Sequence, residues 1–207
     1  MPDVFISRQP LVNRQSKIIA TRLMLHPDGK STAADAAQSL NALSDFWPTG
    51  EKLIFINGGS LTKDPAFFQW NMPANITLEM DSDALLGPSE EEIFTALKSA
   101  QPSLCLLFDA QAKAALLTGL QFRFIGFDAQ QFTAQQLKSL AVQTQPFGIG
   151  VAFNVADRAS FQACLDAGVN AAASWFFKTP SATPAKALNP GQAQIIRIMN
   201  LVRKNAD

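Results

Sequence analysis

Residues 104–128 read LCLLFDAQAKAALLTGLQFRFIGFD. The stretch opens on a continuous apolar run, 104–108, of the length and composition of a strand buried on both faces. An alanine-rich segment, 112–117, suits a helix. A second strand-like run, 122–127, follows and is broken by Arg123 and Gly126. Strand, helix and strand in so short a span form a unit of parallel sheet with its crossover.

The alternation extends both ways. Upstream, 53–56 and 76–80 read as buried strands, with a short helix at 65–70 between them. Before them, Ser31-Thr32 caps a helix running toward Phe46, which Pro48 and Gly50 end. Ser89 with Glu92, and Thr133 with Gln136, have the spacing of capping boxes. The first of these helices carries Ile93, Ala96, Leu97 and Ala100 on one face, the second Leu137, Leu140 and Ala141. Downstream, 148–153 reads as a strand. Asp157 caps a helix with Phe161, Cys164 and Leu165 inward and Gly168 as its stop. Residues 171–177 form the last strand-like run.

At the start of the chain, 4–7 and 17–25 read as strands joined by the polar turn Asn13-Arg14-Gln15-Ser16. So short a connection predicts an antiparallel pair. With eight strand-like runs, the expected fold is α/β, a TIM-type (β/α)8 barrel with an antiparallel first strand. The alternative is an open doubly wound sheet, although no phosphate-cradling glycine fingerprint follows any strand. The barrel is expected over 1–188, with a Pro/Ala/Ser-rich loop at 181–188. An amphipathic helix over 189–207, bearing Ile195, Ile196, Met199 and Val202, either closes the barrel or leads to an absent second domain.

The totals exclude several functions. Seventeen basic residues balance seventeen acidic ones, so nothing draws the 207-residue chain to a nucleic-acid polymer or an anionic membrane. No apolar run approaches the ~18 residues of a spanning helix, and residues 1–4 have no signal-peptide character. Cys105 and Cys164 sit apart in apolar segments, as reduced core thiols of a cytoplasmic protein do. With one histidine, His26, and no paired cysteines, no structural zinc site is expected. Two aromatic groups, Phe67-Phe68-Trp70 and Trp175-Phe176-Phe177, are either core or a partner surface.

Four polar residues fall at predicted strand ends: Asn57, Glu79, Asp109 and Asp128. In a barrel these ends converge on the face where active sites form. Two carboxylates and an amide oxygen could hold a hard divalent cation. Strand-end Asp and Asn are also common as turn and cap residues. The remaining ends carry Arg22, Phe108 or Ala110, Gly126, Phe153 and Ala156, where a barrel enzyme would place charged groups.

The runs Arg8-Gln9-Pro10-Leu11-Val12 and 17–26 (KIIATRLMLH) resemble the opening of bacterial EAL domains, cyclic di-GMP phosphodiesterases of barrel fold. The likeness is strongest to the subgroup in which an HDOD domain follows. It continues in order. Phe55-Ile56-Asn57 matches the family's metal-binding Asn motif, and Leu78-Glu79 its next metal motif. Residues 120–128 follow the LPVDxxKID strand and 151–156 the AEGVE strand. Gly168 and Trp175-Phe176-Phe177-Lys178-Thr179-Pro180 match the closing G…QGYxFxxP. The resemblance implies that Asn57, Glu79 and Asp128 survive from the site, with Gln9 beside the ligand base. It implies equally specific losses. The naming Glu falls on Arg22 and the phosphate-contacting Arg on His26. The paired Asp motif retains Asp109 alone, with Phe108 or Ala110 as neighbour. The Lys falls on Gly126, the two later Glu on Phe153 and Ala156, and the Gln-Gly pair on Ala173-Ser174.

Family activity needs metal-activated water held by several carboxylates. Arg22 changes the local charge by two units and could pair with Glu79 or Asp109 instead. The chain is therefore expected to be a non-catalytic, degenerate EAL-like module of bacterial signalling, without cofactor, metal or catalytic residues, acting on a protein partner. Its remnant ligand site would be Gln9, Arg22, Asn57, Glu79, Asp109 and Asp128. The alternatives are a metal-independent cyclic di-GMP receptor, with Arg22 as phosphate contact, an active phosphodiesterase, and an unrelated barrel enzyme using Glu79, Asp109 and Asp128 as acids or bases.

Overall fold

The structure is a computed structural model and describes residues 4–43, 47 and 52–173. Its first two strands, β1 (Val4–Asn13) and β2 (Ile18–Pro27), are antiparallel because a four-residue turn joins them. The turn closes on itself. Ser16 N–H donates to the Asn13 carbonyl at 2.9 Å, and the Asn13 side chain accepts from the Gln15 and Lys17 amides at 3.0 Å each. Ser16 takes a positive φ of 58°. Arg14 ties this tip to α6 (Arg158–Asp166), bonding the Leu165 carbonyl and Asp166.

Six parallel strands follow: β3 (Leu53–Asn57), β4 (Ile76–Met80), β5 (Ser103–Leu107), β6 (Phe124–Asp128), β7 (Ile149–Phe153) and β8 (Ala171–Ala173). They pair in sequence order, and β8 pairs antiparallel with β1, closing an eight-stranded barrel. The predicted barrel with an antiparallel first strand is therefore the fold, and the open sheet is not.

The connecting helices are α1 (Ala33–Ala42), α2 (Ser82–Leu85), α3 (Glu90–Ala100), α4 (Ala112–Leu116), α5 (Ala134–Thr144) and α6. Alternation along each strand splits the core into two layers. Ile54, Ile56, Leu78, Leu106, Ile125 and Ala152 face outward, against Leu40, Ile93, Leu97, Leu137 and Phe161 of the helices. Leu11, Ala20, Phe55, Cys105, Phe124, Val151, Phe153, Ala171 and Ala173 fill the barrel. Within it, the Phe55 and Phe124 rings pack at 4.9 Å between centroids.

Several local expectations change. β1 runs to Asn13, not to residue 7, because its polar middle pairs with β2. The Ser89–Glu92 capping box does not form. Ser89 has ψ 18° instead of the extended backbone of a capping residue and makes no side-chain cap bond, and Glu90, Glu91 and Glu92 favour that helix end by their charge. The Thr32 and Thr133 caps do form, with Asp35 and Gln136 as reciprocal partners. Ala100 is exposed and only Ile93 and Leu97 of the α3 stripe are buried. α1 ends at Ala42, short of Phe46. The predicted helix at 65–70 is a single 3-10 turn, Pro65–Phe68, and a second 3-10 turn, Gly59–Lys63, precedes it. Phe67, Phe68 and Trp70 are buried and belong to the core, not to a partner surface. The strand end at 174–177, the 181–188 loop and the C-terminal helix lie outside the described residues.

Candidate functional site

The site is built from three neighbouring strands. Arg22 lies on β2 opposite Gln9 of β1, Asn57 ends β3, and Glu79 lies on β4 beside Asn57. Register places all four on the inner face, because each is an even number of residues from an interior position such as Leu11, Ala20, Phe55 or Thr77. Arg22 and Glu79 are 5% and 2% exposed. Nε and Nη2 of Arg22 donate to Oε1 and Oε2 of Glu79, both at 2.7 Å. This is the bidentate fork that a guanidinium makes with a carboxylate. Asn57 Nδ2 donates a third bond to Glu79 Oε2, also at 2.7 Å. The third guanidinium nitrogen, Nη1, approaches Met24 Sδ at 3.5 Å.

Phe153, at the end of β7, closes the pair from the other side. Its ring lies 4.1 Å from the guanidinium carbon, a cation–π contact, and packs edge-on to Phe55 at 6.2 Å. Phe153 also fits against Gly126 on β6. A Cβ at Gly126 would come within 2.5 Å of the Phe153 ring and 3.0 Å of Leu107. Any longer side chain at 126 therefore requires Phe153 to move. Beside Glu79, on β5, the buried Cys105 thiol is pushed well up from its usual range by burial. The Glu79 carboxylate adds to that shift and Arg22 opposes it.

The other strand-end carboxylates do not join this cluster. Asp109, after β5, accepts from Ser82 Oγ at 2.7 Å and from its own Gln111 amide at 2.8 Å. Asp128 accepts from the Gln130 amide at 2.9 Å, Gln131 Nε2 at 3.3 Å and Asn154 Nδ2 at 3.0 Å. Both close turns in the manner of Asx residues. The expected set of two carboxylates and an amide oxygen is thus corrected. Asn57 offers Glu79 its amide N–H, and Arg22 holds Glu79. Of the two partners open to Arg22, Glu79 is the one it takes. His26 is exposed and bonded to Ser7 Oγ at 2.7 Å, and Ala156 is exposed beyond β7. Gln9 Oε1 is buried and has no hydrogen-bond partner among the described residues.

Among the described residues no three His, Cys, Asp or Glu stand where they could hold a metal ion. A guanidinium bound through two nitrogens to Glu79 takes the oxygens a cation would need and repels it. The residues present do not fit a divalent metal.

Sequence reading missed three contributors. Ser82 and Asn154 fasten Asp109 and Asp128, and Asp81 is half-buried just after β4. Burial pushes the Asp81 carboxyl up, Lys63 opposes the shift, and Asp109, Glu79 and Asp83 add to it. The run Met80-Asp81-Ser82-Asp83 carried that signal as a density of acids after a strand.

Solved structures share this architecture. Klebsiella pneumoniae BlrP1, in a calcium and cyclic di-GMP complex, is 15% identical, with a TM-score of 0.65 over 85% of this chain and 55% of its own. The EAL domain of Mycobacterium smegmatis DcpA is 11% identical, with a TM-score of 0.61 over 85% of this chain and 92% of that one. An EAL domain protein of Listeria monocytogenes is 12% identical, with a TM-score of 0.59 over 96% and 93%. The fold is that of an EAL domain. The chain spans about half of BlrP1 and nearly all of the separate EAL domains. At these identities the likeness concerns the fold alone. No protein-family model and no curated protein sequence matches the chain. Among the described residues no helix is long and apolar enough to cross a membrane.

Proposed function

We propose that this chain is a non-catalytic EAL-like signalling module that works through contact with a protein partner in the bacterial cytoplasm and does not hydrolyse cyclic di-GMP. One observation carries the reading: the buried Arg22–Glu79 pair stands where the EAL-like resemblance puts two metal-binding glutamates. The surviving Glu79 carries a charge already neutralised within the protein. Phe153 and Gly126 support the same reading. The aromatic ring fills interior space beside the guanidinium, and the glycine leaves no group to organise water. A barrel that keeps its core while its interior acid is paired with its own arginine is a scaffold kept for its surface. The relation to EAL–HDOD proteins belongs to this proposal and rests on the sequence motifs.

Gln9 favours a second reading, a metal-independent receptor for cyclic di-GMP, because its buried Oε1 has no hydrogen-bond partner among the described residues. Against it, Arg22, the expected phosphate contact, is committed to Glu79.

Calorimetry with cyclic di-GMP in chelator, then a hydrolysis assay with magnesium or manganese, separates these readings. The interaction module shows neither heat nor turnover. Micromolar binding in chelator selects the receptor. Metal-dependent turnover overturns both.

A further inference from the structure

The buried Arg22–Glu79 pair has a chemistry of its own. Glu79 presents both carboxylate oxygens in one plane to two N–H donors, at equal distances of 2.7 Å. Asn57 Nδ2 braces the carboxylate with a third bond, to Oε2. Phe153 lies flat enough for its ring centre to sit 4.1 Å from the guanidinium carbon. A carboxylate fork with an aromatic face alongside recognises a planar, delocalised monocation. Neither element suits a small divalent ion, which asks for several oxygens around it. The ring is itself held, by Phe55 on one side and the cleared space at Gly126 on the other. The receptor is therefore ordered by groups other than the cation it binds.

We propose that Glu79, Asn57 and Phe153 form a guanidinium receptor inside the barrel, filled by Arg22 as a tethered cation that takes the structural place of an exchangeable one. The inference rests on the metal-free reading of this site and deepens it. Its consequence is that a vacated receptor accepts free guanidinium-type cations, because the pocket belongs to the barrel and only the tether is lost.

The test uses the whole chain as wild type, Arg22→Ala and the double variant Arg22→Ala/Glu79→Gln. Thermal unfolding is followed in chelator with millimolar methylguanidinium, with equal methylammonium, or with manganese in place of chelator. Arg22→Ala is expected to melt about 10 °C below wild type, since it leaves Glu79 buried without its partner. Methylguanidinium at about tenfold its Kd should restore about 3–6 °C. It should not stabilise wild type or the double variant, and methylammonium should restore much less. If Arg22→Ala does not fold alone, its refolding yield from urea with and without methylguanidinium is read instead, and a gain with that cation supports the proposal. No specific effect of methylguanidinium on either readout overturns it, as does greater stabilisation of Arg22→Ala by manganese. Turnover of cyclic di-GMP by the wild type would sink the functional reading and leave a positive rescue intact, so the two failures are distinct.

Discussion

The two sides of the barrel mouth hold acidic residues in opposite ways. On the β2–β4 side, Glu79 is dry, held by two bonds from Arg22 and one from Asn57. On the β5–β7 side, Asp109 and Asp128 lie past or at their strand ends and bond to nearby amides and side chains. All three occupy equivalent places in the sequence pattern. The difference is one of depth, because Glu79 lies a residue inside its strand end and Asp128 and Asp109 do not. A charge inside the barrel must find a countercharge, whereas one at the rim can use turn amides and water.

That contrast can be broken by measurement. The largest effect should come from splitting the pair. Arg22→Ala or Glu79→Ala should lose ~3–5 kcal/mol in urea unfolding, and the joint change Arg22→Met/Glu79→Leu should recover most of it. A double variant as unstable as either single one would show that the charges themselves stabilise the barrel. Next comes the ring that closes the pair. Gly126→Ala should cost ~1–3 kcal/mol by overpacking against Phe153, and should cost less in a Phe153→Leu background. Additive losses in that cycle would separate the two positions.

On the rim side, Asp109→Asn and Asp128→Asn should each cost no more than ~1 kcal/mol, the scale of a single net hydrogen bond. A loss equal to that of Glu79→Ala would erase the contrast. A smaller effect is expected at Asp81, whose carboxyl burial holds above the usual range. The folded chain keeps that proton to higher pH than the unfolded chain. The resulting stability is complete below the unfolded value and is lost as pH rises through the folded one. Asp81→Asn should therefore raise the Tm near neutral pH and leave it almost unchanged near about pH 3. An equal gain at both values would rule out titration as the cause. Finally, Cys105 should resist thiol reagents in the native state, since burial and Glu79 keep it protonated. Modification of Cys105 before Cys164 would place the interior of the barrel in contact with solvent.

Much of the fold was readable along the chain because its signals are local. Continuous apolar runs such as 104–108 and 53–56 mark strands covered on both faces, and the four-residue turn after Asn13 dictates an antiparallel start. The Thr133–Gln136 cap was readable for the same reason. The matching Ser89–Glu92 spacing was not realised, because Ser89, at ψ 18°, lacks the extended backbone of a capping residue. The polar middle of β1 concealed a strand, since its pairing partner lies across a turn and its inner side chains line the site.

Residue type and order alone determined that strands alternate with helices after an antiparallel opening pair, and they suggested an EAL-like resemblance in which position 22 is expected to hold an acid. They left Arg22 free to pair with Glu79 or Asp109. Only the tertiary structure decided between them. The partner is set by which inward positions share a level of the barrel, and that follows from strand register across β2, β3 and β4. Register is fixed by packing both apolar layers at once, and no single segment of sequence contains it.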